Sequence, residues 1–378
     1  MRVVFIITSL VTGGAQAMLF KLLQNLDRNR FAPWVITLAG KGDIGLHIES
    51  LGIPVHALGM KPGIPSPIKF MRLVRLLRRL RPDVIHTWMY HADLLGGLAA
   101  RLAGIKAVAW AIRNGDLSKK RSKLATRAVM KACAIASPWL PRSIVTCSEQ
   151  AGAIHVAAGY CADKLVSLPN GFDLSRFRPD VWARAAVRAE LALAPDTLLV
   201  GLVARHDPQK NHPGFIEVAA RVHGVLPQVH FVLAGAGIDW HNDGLTALVN
   251  QASLTERVHL LGRRDDMPRL MASFDLLVSA SSYGEAFPNV LGEAMACGVP
   301  CVVTDVGDSA EIVGNTGRVV APGDMAGLAR RLTELLQWSA EQRAQLGVLA
   351  RQRIGDHYEI GDITRRYQAF YVQLMQGA

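Results

Sequence analysis

Short apolar runs rich in β-branched residues alternate along this chain with longer stretches in which apolar residues recur at helical spacing. The first half contains six such runs, at residues 3–8, 34–38, 55–58, 83–88, 107–112 and 143–147. Runs that are apolar at successive positions are typical of parallel strands covered by helices on both faces. The pattern therefore predicts an α/β protein with βαβ units and a doubly wound parallel sheet.

The same alternation starts again in the second half, with apolar runs at residues 198–204, 229–234, 258–261, 276–280 and 300–304. Residues 168–180, which separate the two series, are rich in turn-forming residues and suit a hinge. We therefore predict two domains, residues 1–177 and 178–351. Residues 352–378 show only a helical pattern, and we expect this tail to pack back on the first domain.

The charge balance narrows the choice of partners. The chain has 42 Lys and Arg residues against 31 Asp and Glu residues, a formal net charge of +11. An excess of positive charge favours nucleotides, nucleic acid or anionic lipid. Because stacking aromatic residues are scarce within the basic segments, we do not expect a nucleic-acid partner.

The cysteines and the N-terminal segment indicate the compartment. The five cysteines form no C-x-x-C pair, and their odd number excludes complete internal disulfide pairing, so we expect a reducing cytoplasm. The apolar N-terminal run leads into Thr12-Gly13-Gly14 without a cleavage site, which favours a strand over a signal peptide. No stretch of eighteen apolar residues predicts a membrane-spanning helix, so any membrane contact should be peripheral.

Two loops that follow predicted strands could hold phosphate groups. Gly13 and Gly14 follow the first strand and open a helix, where bare backbone and a helix N-terminus suit an anion or sugar, although the glycines could simply form a tight turn. Arg205 and Lys210 follow the first strand of the second domain, and two cations there could neutralise a leaving diphosphate. The alternative is a solvated basic loop.

The segment from Ser281 to Met295 carries the most specific signal. Pro288 suits the first turn of a helix, so Glu285 should lie in the preceding loop and Glu293 inside the helix. The two carboxylates could then bind a sugar and a ribose, while amides near Asn289 to Leu291 receive phosphate oxygens. A solvated helix face is the alternative, but the position after an apolar strand is where open sheets bind ligands.

These motifs, with Asn170-Gly171-Phe172-Asp173 and Leu233-Ala234-Gly235-Ala236-Gly237, resemble glycosyltransferase family 4. The resemblance spans nearly the whole chain and is most specific in the second half. It implies the GT-B fold, in which two Rossmann-like doubly wound domains face a cleft. It also implies a retaining, metal-independent glycosyltransferase that uses a nucleotide diphosphate sugar, with UDP- or GDP-sugars favoured, in cell-envelope polysaccharide biosynthesis.

The resemblance also implies roles for individual residues. Arg205 and Lys210 would stabilise the donor diphosphate, Glu285 would contact the donor sugar, and Glu293 would bind the ribose. The donor-binding set that we expect is Gly13, Gly14, Gly235, Ala286, Phe287, Pro288, Asn289, Val290, Leu291 and Glu293.

The first domain departs from the family pattern near residue 88. Many relatives carry His-x-His here, whereas this chain has His86 followed by Trp88. We take His91 as the candidate catalytic histidine and His86 as a weaker one, while a structural role for either histidine stays open.

The sequence predicts neither a metal site nor a cofactor. No D-x-D motif stands in a plausible strand-end loop, since Arg264-Asp265-Asp266-Met267 precedes a helical segment. Arg205, Lys210 and helix dipoles would then carry the charge that a metal ion neutralises elsewhere.

Two basic segments in the first half suggest contact with an anionic membrane surface. Residues 69–81 place Phe70, Leu73, Val74 and Leu77 on one helical face and Arg72, Arg75 and Arg79 on another. Lys119, Lys123, Arg127 and Lys131, with Lys120 and Arg121 beside them, form a second stripe. Solvated helix faces also explain such stripes, but together they favour a peripheral enzyme with a lipid-linked or glycan acceptor.

Two other functions remain open. A nucleotide-sugar epimerase or hydrolase of the same architecture would need the same diphosphate-binding residues without an acceptor. A non-catalytic nucleotide-sugar-binding protein becomes attractive if Trp88 replaces a required group.

Overall fold

The computed structural model describes residues 1–61, 66–117 and 124–377. By its internal contacts the chain divides into two compact units, one formed by Met1–Gly171 with Ile360–Ala378 and the other by Phe172–Glu359. The first boundary thus falls at Gly171, whereas the turn-rich segment suggested residue 177. The second falls after Glu359, whereas the helical pattern suggested residue 351.

The first unit is built on a seven-stranded sheet of order β3-β2-β1-β4-β5-β6-β7 in which every pairing is parallel. Its strands are β1 (Arg2–Ile7), β2 (Ala32–Thr37), β3 (Val55–Ala57), β4 (Val84–Trp88), β5 (Val108–Ile112), β6 (Ser143–Thr146) and β7 (Leu165–Ser167). The helices between them are α1 (Gly14–Asn25), α2 (Gly42–Ser50), α3 (Pro67–Leu80), α4 (Tyr90–Leu102), α5 (Leu124–Ala136) and α6 (Glu149–Ala157).

Both faces of this sheet are covered. Val3, Phe5 and Ile7 of β1 belong to a core shared with α1 and α2, and Val4 and Ile6 belong to a second core shared with α3, α4 and α5. Successive side chains of a strand point to opposite faces, so a strand buried on both faces has to be apolar at every position. This is why β1 is a continuous apolar run.

The second unit repeats the design with a six-stranded parallel sheet of order β10-β9-β8-β11-β12-β13. Its strands are β8 (Leu199–Val203), β9 (His230–Ala234), β10 (Val258–Leu260), β11 (Leu276–Ser279), β12 (Cys301–Thr304) and β13 (Arg318–Val320). Its helices are α7 (Val181–Glu190), α8 (His212–His223), α9 (Asp243–Gln251), α10 (Met267–Ser273), α11 (Asn289–Ala296), α12 (Ser309–Val313), α13 (Met325–Leu336) and α14 (Ala340–Tyr358).

The C-terminal tail contains two helices that belong to different units. The second of them, α15 (Ile360–Gln376), groups with the first unit, where its Tyr367 and Tyr371 are fully buried. The Tyr371 ring packs edge-on against Phe5 of β1 and against Phe31. The last helix is therefore part of the core beneath the first sheet.

Each sheet has one point at which the strand order reverses, between β1 and β4 in the first unit and between β8 and β11 in the second. Loops that leave neighbouring strands in opposite directions open a crevice at their carboxyl ends, where doubly wound sheets bind ligands. Across the described residues, no helix is long and apolar enough to cross a membrane.

Candidate active site

The loop after β8 carries the two cations singled out in the sequence. The Asp207 carboxylate accepts a hydrogen bond of 3.0 Å from the Gln209 amide and so caps the single 3₁₀ turn Pro208–Lys210. Arg205 is 61% exposed and donates to the same carboxylate at 2.8 Å. Burial raises the pKa of Asp207, but the hydrogen bonds from Gln209 and Arg205 outweigh it and hold the pKa below its ordinary value. The loop thus has an acidic anchor and an exposed guanidinium.

Lys210 contacts the glutamate that follows β11. Its ammonium donates a hydrogen bond to Glu285 Oε1, and the Ser281 hydroxyl donates to the same oxygen at 2.8 Å. The side chains of Lys210 and Glu285 are only 17% and 9% exposed. A charged pair so little exposed to water needs its mutual hydrogen bonds to offset lost hydration. The structure therefore brings together two of the residues expected from the sequence.

Backbone contacts fix these loops against one another. The Ser282 amide donates to the Gln209 carbonyl at 2.9 Å, and the Asp308 amide donates to the Ala286 carbonyl at 3.0 Å. Gly307 has a φ of +61°, and a Cβ there would lie 2.5 Å from the Glu285 carbonyl oxygen. Only glycine fits that approach, so the loop after β12 supports the loop that carries Glu285.

Helix α11 starts directly after this loop. Pro288 is its N-cap residue and makes no side-chain capping hydrogen bond, so Pro288 precedes the helix instead of occupying its first turn. A helix start without a side-chain cap offers backbone amides and a positive dipole end to an anion. Asn289 and Val290 are partly exposed there, whereas Ala286, Phe287, Pro288 and Leu291 are buried.

Glu293 lies one turn into α11 and is partly exposed. The preceding Gly292 leaves room for the Phe172 ring, since a Cβ on Gly292 would lie 2.2 Å from it. Phe172 in turn stacks on Phe287 with ring centroids 6.1 Å apart. The helix that carries Glu293 is thus fastened next to the loop that carries Glu285.

Gly235 follows β9 and adjoins the cationic loop. Its φ is +152°, and a Cβ there would lie 2.0 Å from the Ala204 carbonyl oxygen. The His206 amide donates to the Ala236 carbonyl at 2.8 Å. Gly235 therefore allows the loops after β8 and β9 to meet.

The remaining expected site residues lie in the first unit. Gly13 is the N-cap residue of α1 and Gly14 its first residue, at the end of the loop that follows β1. His91 lies in the first turn of α4, partly exposed, and burial lowers its pKa from the ordinary value. These three positions flank the reversal point between β1 and β4.

His86 is placed differently. It is fully buried inside β4, where its Nδ1 lies 2.9 Å from the Tyr371 hydroxyl. Burial and the nearby Arg113 charge hold its pKa well below the ordinary value. His86 is therefore a neutral core residue that packs under α15.

One cluster at the carboxyl edge of the first sheet was missed by the sequence reasoning. Arg113 directly follows β5, lies over the Trp88 ring at 4.0 Å from the centroid, and donates to Asn170 at 2.9 Å and to Tyr367 at 2.7 Å. The available signal was Arg113-Asn114-Gly115-Asp116 directly after an apolar run.

The described residues contain no group of three or more His, Cys, Asp or Glu side chains arranged to hold a metal ion. Asp266, from the acidic pair considered above, is hydrogen-bonded instead to Arg264 and Arg269. These hydrogen bonds hold its pKa at about 2.

Two family models match the chain. Residues 12–176 match the model described as Glycosyltransferase Family 4, and residues 195–337 match the model described as Glycosyl transferases group 1. The chain belongs to glycosyltransferase family 4.

Curated relatives agree with this assignment. The family 4 chain is 28% identical to EpsF of Bacillus subtilis (strain 168), whose name assigns it to the glycosyltransferases, over 96% of this chain and 97% of the relative. It is also 28% identical to the UDP-Gal:alpha-D-GlcNAc-diphosphoundecaprenol alpha-1,3-galactosyltransferase of Escherichia coli, over 64% of this chain and 63% of that protein. The protein is thus a glycosyltransferase enzyme.

Solved structures confirm the predicted fold. Anabaena HepE in complex with UDP superposes with a TM-score of 0.86 at 23% identity, over 99% of this glycosyltransferase and 100% of that chain. This likeness shows the GT-B architecture of two parallel-sheet Rossmann-like domains.

Proposed function

We propose that this family 4 glycosyltransferase transfers a sugar, with retention of anomeric configuration, from a nucleotide diphosphate sugar to a lipid-linked or glycan acceptor. The observation that carries the proposal is the contact of Lys210 with Glu285 beside the start of α11. A cation, a buried carboxylate and helix amides at the reversal point of one sheet suit the diphosphate, the sugar hydroxyls and the phosphate oxygens of one donor.

The positions of the residues support the roles that we propose for them. When the bond between the anomeric carbon and the diphosphate oxygen breaks, its electron pair leaves with the diphosphate. The acceptor hydroxyl oxygen forms the new bond to the anomeric carbon on the same face, and its proton passes to the departing diphosphate. Arg205 and Lys210, which lie on one loop, would stabilise that negative charge, and such electrostatic stabilisation is usually the largest contribution of a preorganised site. Glu285, oriented by Lys210 and Ser281, would accept hydrogen bonds from the donor sugar, and Glu293 from the ribose.

The classes of donor and acceptor that we propose are based on the name of the Escherichia coli relative. Its name gives a UDP-sugar donor and a sugar-diphosphoundecaprenol acceptor. For this chain we propose a UDP- or GDP-sugar as donor and an acceptor of the lipid-linked kind used in cell-envelope polysaccharide biosynthesis. No metal ion is needed in this proposal, because Arg205, Lys210 and the α11 dipole carry the neutralising charge.

We also propose that the enzyme works peripherally on the cytoplasmic face of an anionic membrane. In α3, Leu73, Val74 and Leu77 are buried, while Arg72, Arg75 and Arg79 are exposed on the other face. Each such charge near anionic lipid adds about 1 kcal/mol. Of the second basic stripe, Lys119, Lys120, Arg121 and Lys123 lie outside the described residues, Arg127 is partly exposed and Lys131 is exposed.

The test is a panel of UDP-, GDP- and ADP-sugars, with nucleotide release measured with and without lipid-linked acceptors, followed by NMR of the product's anomeric proton. Acceptor-dependent release with a retained anomeric configuration is expected. Release without any acceptor would indicate a hydrolase, and conversion of the sugar nucleotide itself would indicate an epimerase. Binding without turnover of any sugar nucleotide would indicate a non-catalytic binding protein. An inverted product would contradict the retaining mechanism.

A further inference from the structure

Arg113 is a cation held in place by neutral groups. One terminal nitrogen donates to the Asn170 side-chain oxygen and the other to the Tyr367 hydroxyl. Its guanidinium carbon lies 4.0 Å from the centroid of the Trp88 ring. An arginine stacked on an aromatic face with both terminal nitrogens hydrogen-bonded keeps one orientation, and a guanidinium has five N–H donors in all.

The charge of Arg113 has no hydrogen-bonded counter-ion. Within the described part of the chain it forms no ion pair, and its Nε is buried without a hydrogen-bond partner. The nearby carboxyl of Asp93 is engaged with the Thr87 hydroxyl at 2.5 Å, and burial raises the pKa of Asp93 to about 7. A guanidinium whose hydrogen-bond partners are neutral groups favours an incoming anion.

The backbone next to Trp88 is strained, which is a separate observation. Met89 has φ +75° and ψ 149°, a region that non-glycine residues rarely adopt. Such a conformation is destabilising and occurs preferentially at functional sites. Here the strained residue joins β4, which carries Trp88, to α4, which carries His91 in its first turn.

The cluster lies at a position in the sheet that suits substrate binding. Arg113 follows β5 and Asn170 follows β7, so both stand beyond the carboxyl ends of their strands. Arg113 keeps part of its surface exposed. The carboxyl edge of a doubly wound sheet is where ligands bind.

We propose that Arg113, held on the Trp88 ring, binds a phosphate oxygen of the acceptor. This rests on the proposed function, and it narrows the acceptor to a phosphorylated or diphosphate-linked molecule instead of a neutral glycan. A planar guanidinium matches the geometry of phosphate oxygens better than an ammonium does. Trp88, Asn170 and Tyr367 act as positioning residues for Arg113.

The experiment compares farnesyl diphosphate with farnesol as probes on the UDP-saturated enzyme, by calorimetric titration below the lipid's aggregation concentration. UDP occupies the donor's phosphate-binding residues, so the difference between the two probes reports a second anion site. We expect the wild type to prefer the diphosphate. Arg113→Gln should weaken farnesyl diphosphate binding by about tenfold to a hundredfold, as loss of hydrogen bonds to a charged group does, and should leave farnesol binding unchanged.

Three controls separate binding from folding. Arg101→Gln removes an equal charge from an exposed position on α4 and should bind the diphosphate like the wild type. Tyr367→Phe removes the hydrogen bond between Arg113 and α15 but keeps the charge of Arg113. This variant should therefore lose less of the preference for the diphosphate than Arg113→Gln does. Arg113→Lys keeps the positive charge but lacks the planar guanidinium group, and it should bind the diphosphate with intermediate affinity. Inorganic pyrophosphate, titrated in parallel, shows whether the phosphate alone is enough or the lipid chain is needed.

Arg113→Gln could have a lowered unfolding temperature and still prefer the diphosphate as the wild type does. That result would show that Arg113 only connects α15 and Asn170 to the sheet, and it would overturn the proposal. An equal loss in Arg101→Gln would overturn it too, because general charge would then explain the binding. Failure of every sugar nucleotide in the donor panel would instead contradict the proposed function.

Discussion

Lys210 and Glu285, which are 75 positions apart in the sequence, form a hydrogen-bonded ion pair between the loops that follow β8 and β11. The pair joins the two strands at which the second sheet reverses its order. A pair with this little exposure fixes the direction of two charged groups, and loss of either partner would leave the other charge buried and unpaired.

Removing either cation should lower turnover without unfolding the enzyme. Lys210→Ala or Arg205→Ala should reduce kcat by about a hundredfold or more, because each removes preformed stabilisation of the leaving diphosphate. Lys210→Ala should also lower the free energy of unfolding by up to about 3–5 kcal/mol, since it leaves Glu285 buried without its cation. Arg205→Ala should change stability little, because Arg205 is 61% exposed. Steady-state kinetics and urea titration measure both effects; unchanged turnover in both variants would rule out the assignment.

The enzyme should keep its activity when divalent cations are removed. Arg205, Lys210 and the start of α11 supply positive charge at the proposed diphosphate position, so EDTA should leave nucleotide release within about twofold of the untreated rate. A matched sample dialysed against magnesium serves as control. Complete loss of activity in EDTA, restored by magnesium or manganese, would contradict metal independence.

Membrane binding and donor binding should respond to different substitutions. Reversing Arg72, Arg75 and Arg79 of α3 to glutamate should weaken binding to phosphatidylglycerol vesicles by several kcal/mol at most, and raised salt should have the same effect, because the attraction is electrostatic. Cosedimentation measures this. Equal vesicle binding by the variant and the wild type at low salt would show that the basic residues of α3 form only a solvent-exposed helix face and do not bind the membrane.

Two controls accompany the α3 variant. Reversing Arg176, Arg178 and Arg330, exposed residues of the second unit, changes the net charge equally and should affect vesicle binding less. Glu293→Ala should weaken donor binding by about 1–3 kcal/mol through loss of a hydrogen-bonding carboxylate, with vesicle binding unchanged.

Asp93 should give the stability a recognisable pH dependence. Its folded-state pKa of about 7 lies above the ordinary value for an aspartate because burial disfavours the charged form. The folded state therefore binds more protons than the unfolded state between about pH 4 and pH 7, and its stability falls as the pH rises through that window. Asp93→Asn should lose this part of the pH dependence while it keeps an acceptor for the Thr87 hydroxyl. Urea titrations at pH 5 and pH 8 compare the two proteins; equal pH dependence would show that Asp93 stays ionised throughout.

The sequence identified the elements that depend on local pattern. Eleven apolar runs marked strands, and in the structure each of them overlaps one strand, with ends that differ by no more than two residues. The missed strands, β7 and β13, have three residues each, and both include exposed positions, so they show no apolar run. Glu285 before a helix and Glu293 inside it were also correctly placed, because Pro288 and the preceding strand mark that junction locally.

Only the tertiary structure decided which distant residues meet. The sequence could place Lys210 and Glu285 in loops, but their contact requires that β8 and β11 be neighbours, which follows from the strand order. The sequence could not predict that His86 is buried beneath α15 or that Arg113 stacks on Trp88, because these contacts join residues far apart along the chain. Local periodicity specifies helices and strands through the burial of one face or two. The side chains that gather at a sheet's carboxyl edge are chosen by the packing order of the strands, which no local pattern records.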